Sequence, residues 1–218
     1  LIYIMILFVW GKDYVPNNAV KYGAHLSNEK FENYGFQDGD LIVEVGGKEI
    51  KEFGDASSKI LIDGERELKI KRNGQIIPVV LNDSIVTDLL RLKAPGIFSY
   101  IRFPNVIDSV MQGSFAEIAN LQKGDSIVGV NEIPTPYFYD FKKEISHYKS
   151  EKIDLQIYRN NSPVTIKVDV AEDNTIGYVP KNQLKYFDYE HKDYGLIESV
   201  PVGVSEGVST LGNYVKSL

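Results

Sequence analysis

The fold is best predicted from the stretch Phe36-Gln37-Asp38-Gly39-Asp40-Leu41-Ile42-Val43-Glu44-Val45-Gly46-Gly47, because a similar stretch occurs again later in the chain. The second copy is Leu121-Gln122-Lys123-Gly124-Asp125-Ser126-Ile127-Val128-Gly129-Val130-Asn131. Each copy has an apolar residue, a polar pair, a Gly-Asp step and a strand of alternating apolar residues. Glycine supplies the positive φ that such a tight turn needs. The repetition predicts two similar domains in one chain.

The residues around each copy predict the same order of elements: a strand, a short helix, the Gly-Asp turn, a strand, a second helix and a hairpin. In the first copy these elements are Val20–Leu26, Asn28–Tyr34, Leu41–Val45, Phe53–Ile62 and the hairpin strands Leu68–Lys71 and Ile76–Leu81. In the second copy they are Asn105–Val110, Ser114–Asn120, Ser126–Val130, Tyr137–Tyr148, Leu155–Tyr158 and Val164–Val168. Asn28 and Ser114 are the expected N-caps of the short helices.

The turns and the connecting segment complete the prediction. Asn73-Gly74 and Asn160-Asn161 are expected hairpin turns. Pro78 predicts an edge position or a bulge for its strand, since proline has no amide hydrogen. Residues 82–103 are expected to form a tether that ends in a turn, and Ile176–Val179 to form one further strand.

Composition excludes several classes of function. The 218 residues carry a net charge of −6, which argues against a nucleic-acid partner. There is no cysteine, and the three histidines are far apart in the sequence. Disulfide frameworks, thiol catalysis and Cys-based zinc sites are therefore excluded, and neither a catalytic nor a metal-binding residue is predicted here.

The two ends of the chain are apolar. Leu1–Trp10 is an unbroken apolar run of about half the length that a transmembrane helix needs. It is either a buried strand or the end of a transmembrane helix, since Trp10 and the charges after it are typical of a membrane interface. Ser199–Leu218 predicts an amphipathic helix with Ser199 as N-cap, either a surface helix packed on a domain or the start of another transmembrane helix. Its apolar stripe is Val200, Val204, Val208, Leu211, Val215 and Leu218, with Gly203 and Gly207 beside it.

The doubled pattern resembles bacterial PDZ domains. Their signature is a Gly-Leu-x-x-Gly-Asp-x-Ile-x-x-Val-Asn-Gly turn and strand, a groove-lining helix and a hairpin with an Arg-x-Gly turn. The first copy matches with Gly35–Gly47 and Arg72-Asn73-Gly74, and the second with Ala119–Asn131 and Arg159-Asn160-Asn161. The resemblance covers roughly residues 20–170. It implies a mainly β, α+β fold with two PDZ-like, partly open β-barrels in tandem, flanked by truncated apolar helical segments.

Tandem PDZ domains between apolar ends resemble the extracytoplasmic region of a bacterial site-2 intramembrane zinc protease of the regulator of sigma-E protease family. The resemblance implies the end of a transmembrane helix and a linker at 1–19, PDZ-like domains at 20–90 and 91–180, and an extension toward the next transmembrane helix at 181–218. It places this region on the periplasmic side of the inner membrane. The parent protease would hold zinc, but its HExxH helix is absent here, so this region would carry no catalysis and no cofactor.

A PDZ groove lies between a sheet edge and a helix, and an extended peptide adds to the edge as a strand. In the first copy the expected groove residues are Gly23, Ala24, His25 and Leu26 on the strand and Phe53, Ala56 and Ile60 on the helix. In the second copy they are Val106, Ile107, Asp108 and Ser109 on the strand and Phe138, Phe141 and Ile145 on the helix. The Gly-Leu-Gly-Phe carboxylate loop of eukaryotic PDZ domains is missing from both copies, which weighs against specific capture of a C-terminal carboxylate.

Three functions are compatible with these expectations. The first is a size filter above the active site of the protease, which excludes a transmembrane substrate until its extracytoplasmic domain has been shortened. The second is a module that captures exposed peptide tails. The third is the PDZ region of a trypsin-like periplasmic serine protease, which the apolar N-terminal run fits poorly. The expected partners are a transmembrane substrate protein or its extracytoplasmic tail, and the membrane through the flanking helices.

Overall fold

The computed structural model describes residues 2–94 and 96–204. The described residues are mostly β with some helices. The helices are α1 (Ile2–Trp10), α2 (Asp55–Leu61), α3 (Ser84–Arg91), α4 (Phe115–Ile118), α5 (Phe138–Ile145) and α6 (196–204), with 3-10 turns at Asn17–Ala19, Glu29–Tyr34 and Gln183–Lys185. The strands are β1 (Lys12–Tyr14), β2 (Ala24–Leu26), β3 (Leu41–Val45), β4 (Lys48–Glu49), β5 (Glu67–Arg72), β6 (Gln75–Val80), β7 (Phe98–Ile101), β8 (Ile107–Val110), β9 (Ser126–Val130), β10 (Ile133–Pro134), β11 (Lys152–Arg159), β12 (Ser162–Asp169), β13 (Tyr178–Pro180) and β14 (Glu190–Lys192).

Two regions of the chain have the same strand order. In the first unit, residues 16–101, the sheet order is β4-β3-β5-β6, and β2 pairs separately with β7. In the second unit, residues 105–181, the order is β10-β9-β11-β12, and β8 pairs separately with β13. All of these pairings are antiparallel. In the described residues the strands of each unit form two separate sheets, so neither unit closes into a complete barrel.

Each unit has its own hydrophobic core. The first core includes Phe31, Phe36 and Ile70, which are fully buried. The second includes Ile127 and Leu155, which are also fully buried. Two separate cores explain why the alternating apolar pattern of the strands occurs twice in the sequence.

A buried ion pair joins the Gly-Asp turn to the hairpin in each unit. The Arg72 guanidinium donates to both carboxylate oxygens of Asp40, at 2.7 Å each, and to the carbonyl of Gly35. Arg159 does the same with Asp125, at 2.8 and 2.7 Å, and with the carbonyl of Asn120. The hydrogen bonds that each arginine donates to its aspartate raise the pKa of the arginine. The aspartate of each Gly-Asp step therefore connects the turn to the hairpin strand of the sheet through its ion pair with the arginine.

Several local predictions are confirmed. Asn28 accepts a hydrogen bond from the Lys30 amide, and Ser114 accepts one from the Glu117 amide, as N-caps do. Asn73 and Gly74 have φ of 49° and 83°, the positive values that the hairpin turn requires. β6, which contains Pro78, is an edge strand, since β5 is its one partner among the described strands.

The predicted tether at 82–103 is wrong. It contains helix α3, whose Ile85 and Leu89 are buried in the first core, and strand β7, which pairs with β2. The first unit therefore extends to residue 101 rather than ending at 90. The strand expected at Val20–Leu26 is also shorter than predicted, because only residues 24–26 pair with β7.

The N-terminal apolar run forms helix α1 and not a strand. Most of its side chains are exposed, and Leu7 is its buried residue. No helix in the described part of the chain reaches the length and apolarity that crossing a membrane requires. After α1, β1 pairs with β14, with Lys12 opposite Lys192, so the two ends of the 12–192 region lie side by side.

The C-terminal helix begins earlier than predicted. Ser199 lies inside α6, where its amide donates to the Gly195 carbonyl, so it is not the N-cap. α6 packs against α1, and a Cβ at Gly203 would lie 2.6 Å from Cγ1 of Ile4. Val208, Leu211, Val215, Leu218 and Gly207 of the predicted stripe lie outside the described residues.

Candidate functional site

A cavity of about 260 Å³ lies between β13 and α5 in the second unit. From the helix side it is lined by Phe138, Phe141 and Lys142. From the strand side it is lined by Tyr178, Pro180 and the loop of residues 173–177 that leads into β13. Met111 closes one end and is itself more than half exposed. The cavity is therefore a groove with one apolar helical wall and one wall of strand backbone.

Strand β13 has a free backbone edge. One of its edges pairs with β8, and no other described strand pairs with it. A strand with an unpaired edge can accept a further strand, because its N–H and C=O groups on that side have no partner. The free edge and the groove are on the same element, so an extended peptide could bond to β13 and place side chains in the cavity.

The groove strand predicted for the second unit is in the wrong place. β8 has β13 on one edge, where the Lys181 amide donates to the Val106 carbonyl at 2.7 Å. On its other edge, Ile107 exchanges backbone hydrogen bonds with the Gly-Asp turn at residues 124–125. Both edges are occupied, so Val106, Ile107, Asp108 and Ser109 cannot receive a peptide strand.

The other predicted residues of the second unit divide into two groups. Phe138 and Phe141 line the groove as expected. Ile145 is fully buried in the second core and does not line it. Asp108 instead pairs with Lys123 at 3.1 Å, and that hydrogen bond lowers the pKa of the Asp108 carboxyl.

Tyr178 shapes the floor of the groove. Its hydroxyl donates to the side-chain oxygen of Asn105 at 2.7 Å, and its ring makes an edge-to-face contact with Phe141, with centroids 6.0 Å apart. Burial raises the pKa of the Tyr178 phenol. Sequence reasoning placed a strand over Ile176–Val179 but did not assign it to the groove, and it also missed Met111, Lys142 and the loop at 173–177.

The equivalent groove of the first unit is nearly closed. It lies between β7 and α2, and its cavity is only about 30 Å³. A Cβ at Gly96 would overlap the Ser57 hydroxyl, which shows how closely the helix approaches the segment before β7. The predicted residues Phe53 and Ala56 line this small cavity, and Ile60 is in the core.

The strand predicted for the first groove is corrected in the same way. β2 pairs with β7 on one edge, and Ala24 exchanges backbone hydrogen bonds with Gly39 and Asp40 on the other. Ala24 and Leu26 are buried, while Gly23 faces the junction between the units. The ring of His25 stacks on that of Tyr139 of the second unit, with centroids 5.8 Å apart.

His25, Asp38 and Asp140 bring possible metal-ligand atoms within 4.8 Å of one another. However, the guanidinium of Arg102 lies 3.0 Å from Asp140 and already supplies positive charge there. His25 Nδ1 lies 3.0 Å from Asp38 Oδ1. Burial alone would raise the pKa of Asp38, but hydrogen bonds from His25 and the Leu26 amide lower it overall. We assign these residues to the contact between the units.

Comparison with known protein families identifies part of the chain. Residues 102–169 match the PDZ domain. The matched region contains β8, α4, β9, β10, α5, β11 and β12, and β13 follows it. PDZ domains bind extended peptides, often tails of partner proteins, between a strand and a helix. Residues 102–169 therefore contain a PDZ domain, and the cavity between α5 of this domain and β13 lies at its side.

Proposed function

We propose that this chain binds an extended segment of a partner protein in the groove of the second unit, and that the first unit is a second PDZ-like domain with a closed groove. The observation that carries the proposal is the free edge of β13 beside the 260 Å³ cavity. The repeated strand order and the repeated Arg-Asp pair support the PDZ-like assignment of the first unit.

The groove favours an apolar side chain in the bound segment. Phe138, Phe141 and Met111 provide apolar surface, while Lys142 and Asp173 place one charge of each sign on the lining. Backbone hydrogen bonds to β13 would supply affinity for any sequence, and the cavity would supply selectivity. The first groove is too small to admit a comparable side chain.

A peptide selection tests the proposal. Peptides selected from a random phage-displayed library are titrated into isotopically labelled protein. We expect amide shifts at residues 177–179 and along α5, and loss of binding in Lys142→Trp, whose indole would fill the groove. Lys149→Trp, an exposed position that does not line the cavity, is the matched control. Peptides whose shifts map elsewhere, or equal binding by both variants, would contradict the proposal.

A separate observation supports a location at a membrane. α1 exposes Ile2, Met5 and Trp10, and the adjacent α6 exposes Ile197. We propose that this helix pair holds the 12–192 region on the periplasmic face of the inner membrane of a bacterium, as the non-catalytic part of a site-2 zinc protease. In that setting the region regulates access of a transmembrane substrate, and zinc belongs to the catalytic part of the parent protein.

Vesicle flotation and a protease assay test this second proposal. Phe8→Glu should abolish flotation with phospholipid vesicles, while Val80→Glu, which changes an exposed apolar residue on β6, should not. In a reconstituted full-length protease, replacing residues 15–189 by a short linker should allow cleavage of intact substrates. Flotation unaffected by Phe8→Glu would argue against the membrane location. Intact substrates that stay uncut while a shortened substrate is processed would argue against the access role.

A further inference from the structure

A polar cavity of about 190 Å³ lies at the junction of the two units, away from the groove. The first unit contributes the loop of residues 20–23, the turn at 38–39 and the hairpin at 73–74. The second unit contributes Tyr137, which precedes α5, and Arg102 joins the units. Three cationic side chains line this cavity, those of Lys21, Lys71 and Arg102.

Arg102 is held rigidly with unused donors. Its side chain is 14% exposed, and its amide donates to the carbonyl of Gly23 at 3.0 Å. The guanidinium carbon lies 3.9 Å from the centre of the Tyr137 ring, and one terminal nitrogen donates to Asp140 at 3.0 Å. Its Nε is buried and has no hydrogen-bond partner among the described residues. A buried donor without a partner costs about 1–3 kcal/mol, so such a group usually has a water or an ion beside it.

Gly39 in the cavity wall allows the Arg102 side chain to lie there. A Cβ at Gly39 would overlap Nη1 of Arg102, so glycine leaves room for the guanidinium beside the turn. Gly39 has φ of 95°, a conformation that glycine adopts readily. The turn of the repeated Gly-Asp stretch therefore forms one wall of the cavity in the first unit.

The two lysines add positive charge that has no counter-ion among the described residues. No ion pair joins Lys21 or Lys71 to a carboxylate there, and both are exposed. The one carboxylate of the lining is Asp38. It is already engaged by His25 and by the amide of Leu26. The lining of the cavity thus carries more positive than negative charge.

We propose that this junction cavity binds a small oxyanion, a phosphate or a carboxylate. The anion would accept a hydrogen bond from Arg102 Nη1, which lies beside Gly39 of the cavity wall, and be neutralised by Lys21 and Lys71. Arginine suits this role, because its planar fork of donors matches the oxygens of both groups. Since the walls come from both units, the bound anion would also hold the units together.

NMR titration of the whole chain tests the proposal. Sodium phosphate and sodium acetate are titrated in separate experiments, and sodium chloride keeps the ionic strength constant. The signals followed are the Nε–H of Arg102 and the backbone amides of Gly39 and Gly74. We expect saturable shifts at these groups. A phosphate response without an acetate response would identify a free phosphate-type ligand, and the reverse would identify a carboxylate, such as an acidic side chain of a partner.

Lysine variants test the contribution of the two cavity lysines to anion binding. Lys21→Met and Lys71→Met should each weaken binding about threefold, in line with the modest strength of exposed charge contacts. Lys48→Met, which removes an exposed lysine of the same unit outside the cavity, should leave it unchanged. Shifts no larger than those caused by sodium chloride would overturn the proposal, and so would equal affinity in all three variants.

Discussion

The ring of Tyr139 on α5 lies parallel to that of Tyr100 on β7, with centroids 4.5 Å apart and an interplanar angle of 11°. One residue belongs to the groove helix of the second unit, and the other to the sheet of the first. Arg102 and Asp140, and Lys143 and Glu29, form ion pairs across the same contact. Helix α5 therefore lines the groove on one side and contacts the first unit on the other.

Tyr139→Ala should weaken the contact between the units. Stacked aromatic pairs contribute about 0.5–1.5 kcal/mol beyond the area that they bury. We expect a loss of about 1 kcal/mol in the free energy of unfolding by urea and faster independent tumbling of the units in NMR relaxation. Tyr158→Ala removes a half-exposed tyrosine of β11 that contacts no other ring among the described residues. Equal effects of the two variants would contradict this role for Tyr139.

Asp125→Asn should destabilise the second unit strongly. The carboxylate is 1% exposed and accepts two hydrogen bonds from Arg159 and one from the Gln122 amide. Removing one partner of a buried ion pair costs about 3–5 kcal/mol, because the other charge is left uncompensated. Urea denaturation measures the loss.

Glu172→Gln is the control for that variant. Glu172 pairs with Lys149 at 3.5 Å on the surface, and both side chains are exposed. Its loss should cost less than about 1 kcal/mol. Asp40→Asn should behave as Asp125→Asn does, since Asp40 makes the same contacts with Arg72. An Asp125 variant no weaker than the Glu172 variant would show that the buried pair does not stabilise the turn.

Gly23→Ala should be far more damaging than Gly47→Ala. Both glycines have nearly the same φ, 68° and 73°, so an added methyl group imposes the same backbone strain of about 1–2 kcal/mol. A Cβ at Gly23 would in addition overlap the Gly39 carbonyl, whereas one at Gly47 has nothing within 4 Å. We expect an extra loss of about 1–3 kcal/mol for Gly23→Ala in thermal or urea unfolding. Similar losses of unfolding free energy in the two variants would mean that the loop at residue 23 can move away from the turn at residue 39 without destabilising the protein.

Rising pH should loosen the pairing of β1 with β14. The hydrogen bond with Asp13, whose Oδ1 lies 2.7 Å from His191 Nδ1, raises the pKa of His191 above its usual 6.5, and Asp193 adds to the effect. Because the pKa is higher in the folded state, the stabilisation is complete below about pH 6.5 and is lost as pH rises through the raised pKa. Hydrogen-exchange protection factors of residues 12–14 measure the change.

A histidine substitution isolates the cause of that pH dependence. His191→Gln should remove it, since no imidazolium then faces Asp13. His147→Gln, which changes an exposed histidine just after α5, should leave it intact. Protection factors that fall with pH in the His191 variant as they do in the original chain would assign the effect to another group.

Local structure was predictable because local interactions produce it. Ser114 caps α4 through an amide three residues away, and the Asn73-Gly74 turn needs only its own positive φ values. Helix α3 was missed although Ile85 and Leu89 have helical spacing. Helices this short form through tertiary packing rather than intrinsic propensity. α3 is stabilised by its contact with the first core, and this contact cannot be recognised from the sequence of the helix alone.

The groove could be predicted only in part. The helix wall was found from the spacing of Phe138 and Phe141, because one turn of α5 brings them to one side. The strand wall was assigned to β8, which follows the pattern of a strand but has partners on both edges. A free edge is defined by which strands fail to pair, and this depends on contacts between residues far apart in the chain.

The sequence by itself determined the doubled arrangement, the Gly-Asp turns, the hairpins and the two cores, since these arise from residues that are close together and from apolar periodicity. Three features could be recognised only in the folded chain: β13 forms the open edge, the first groove is closed against Gly96, and Arg102 lies at a cavity between the units. Each of these features depends on how separate segments approach one another, because side-chain packing and strand pairing bring together residues that are far apart in the sequence.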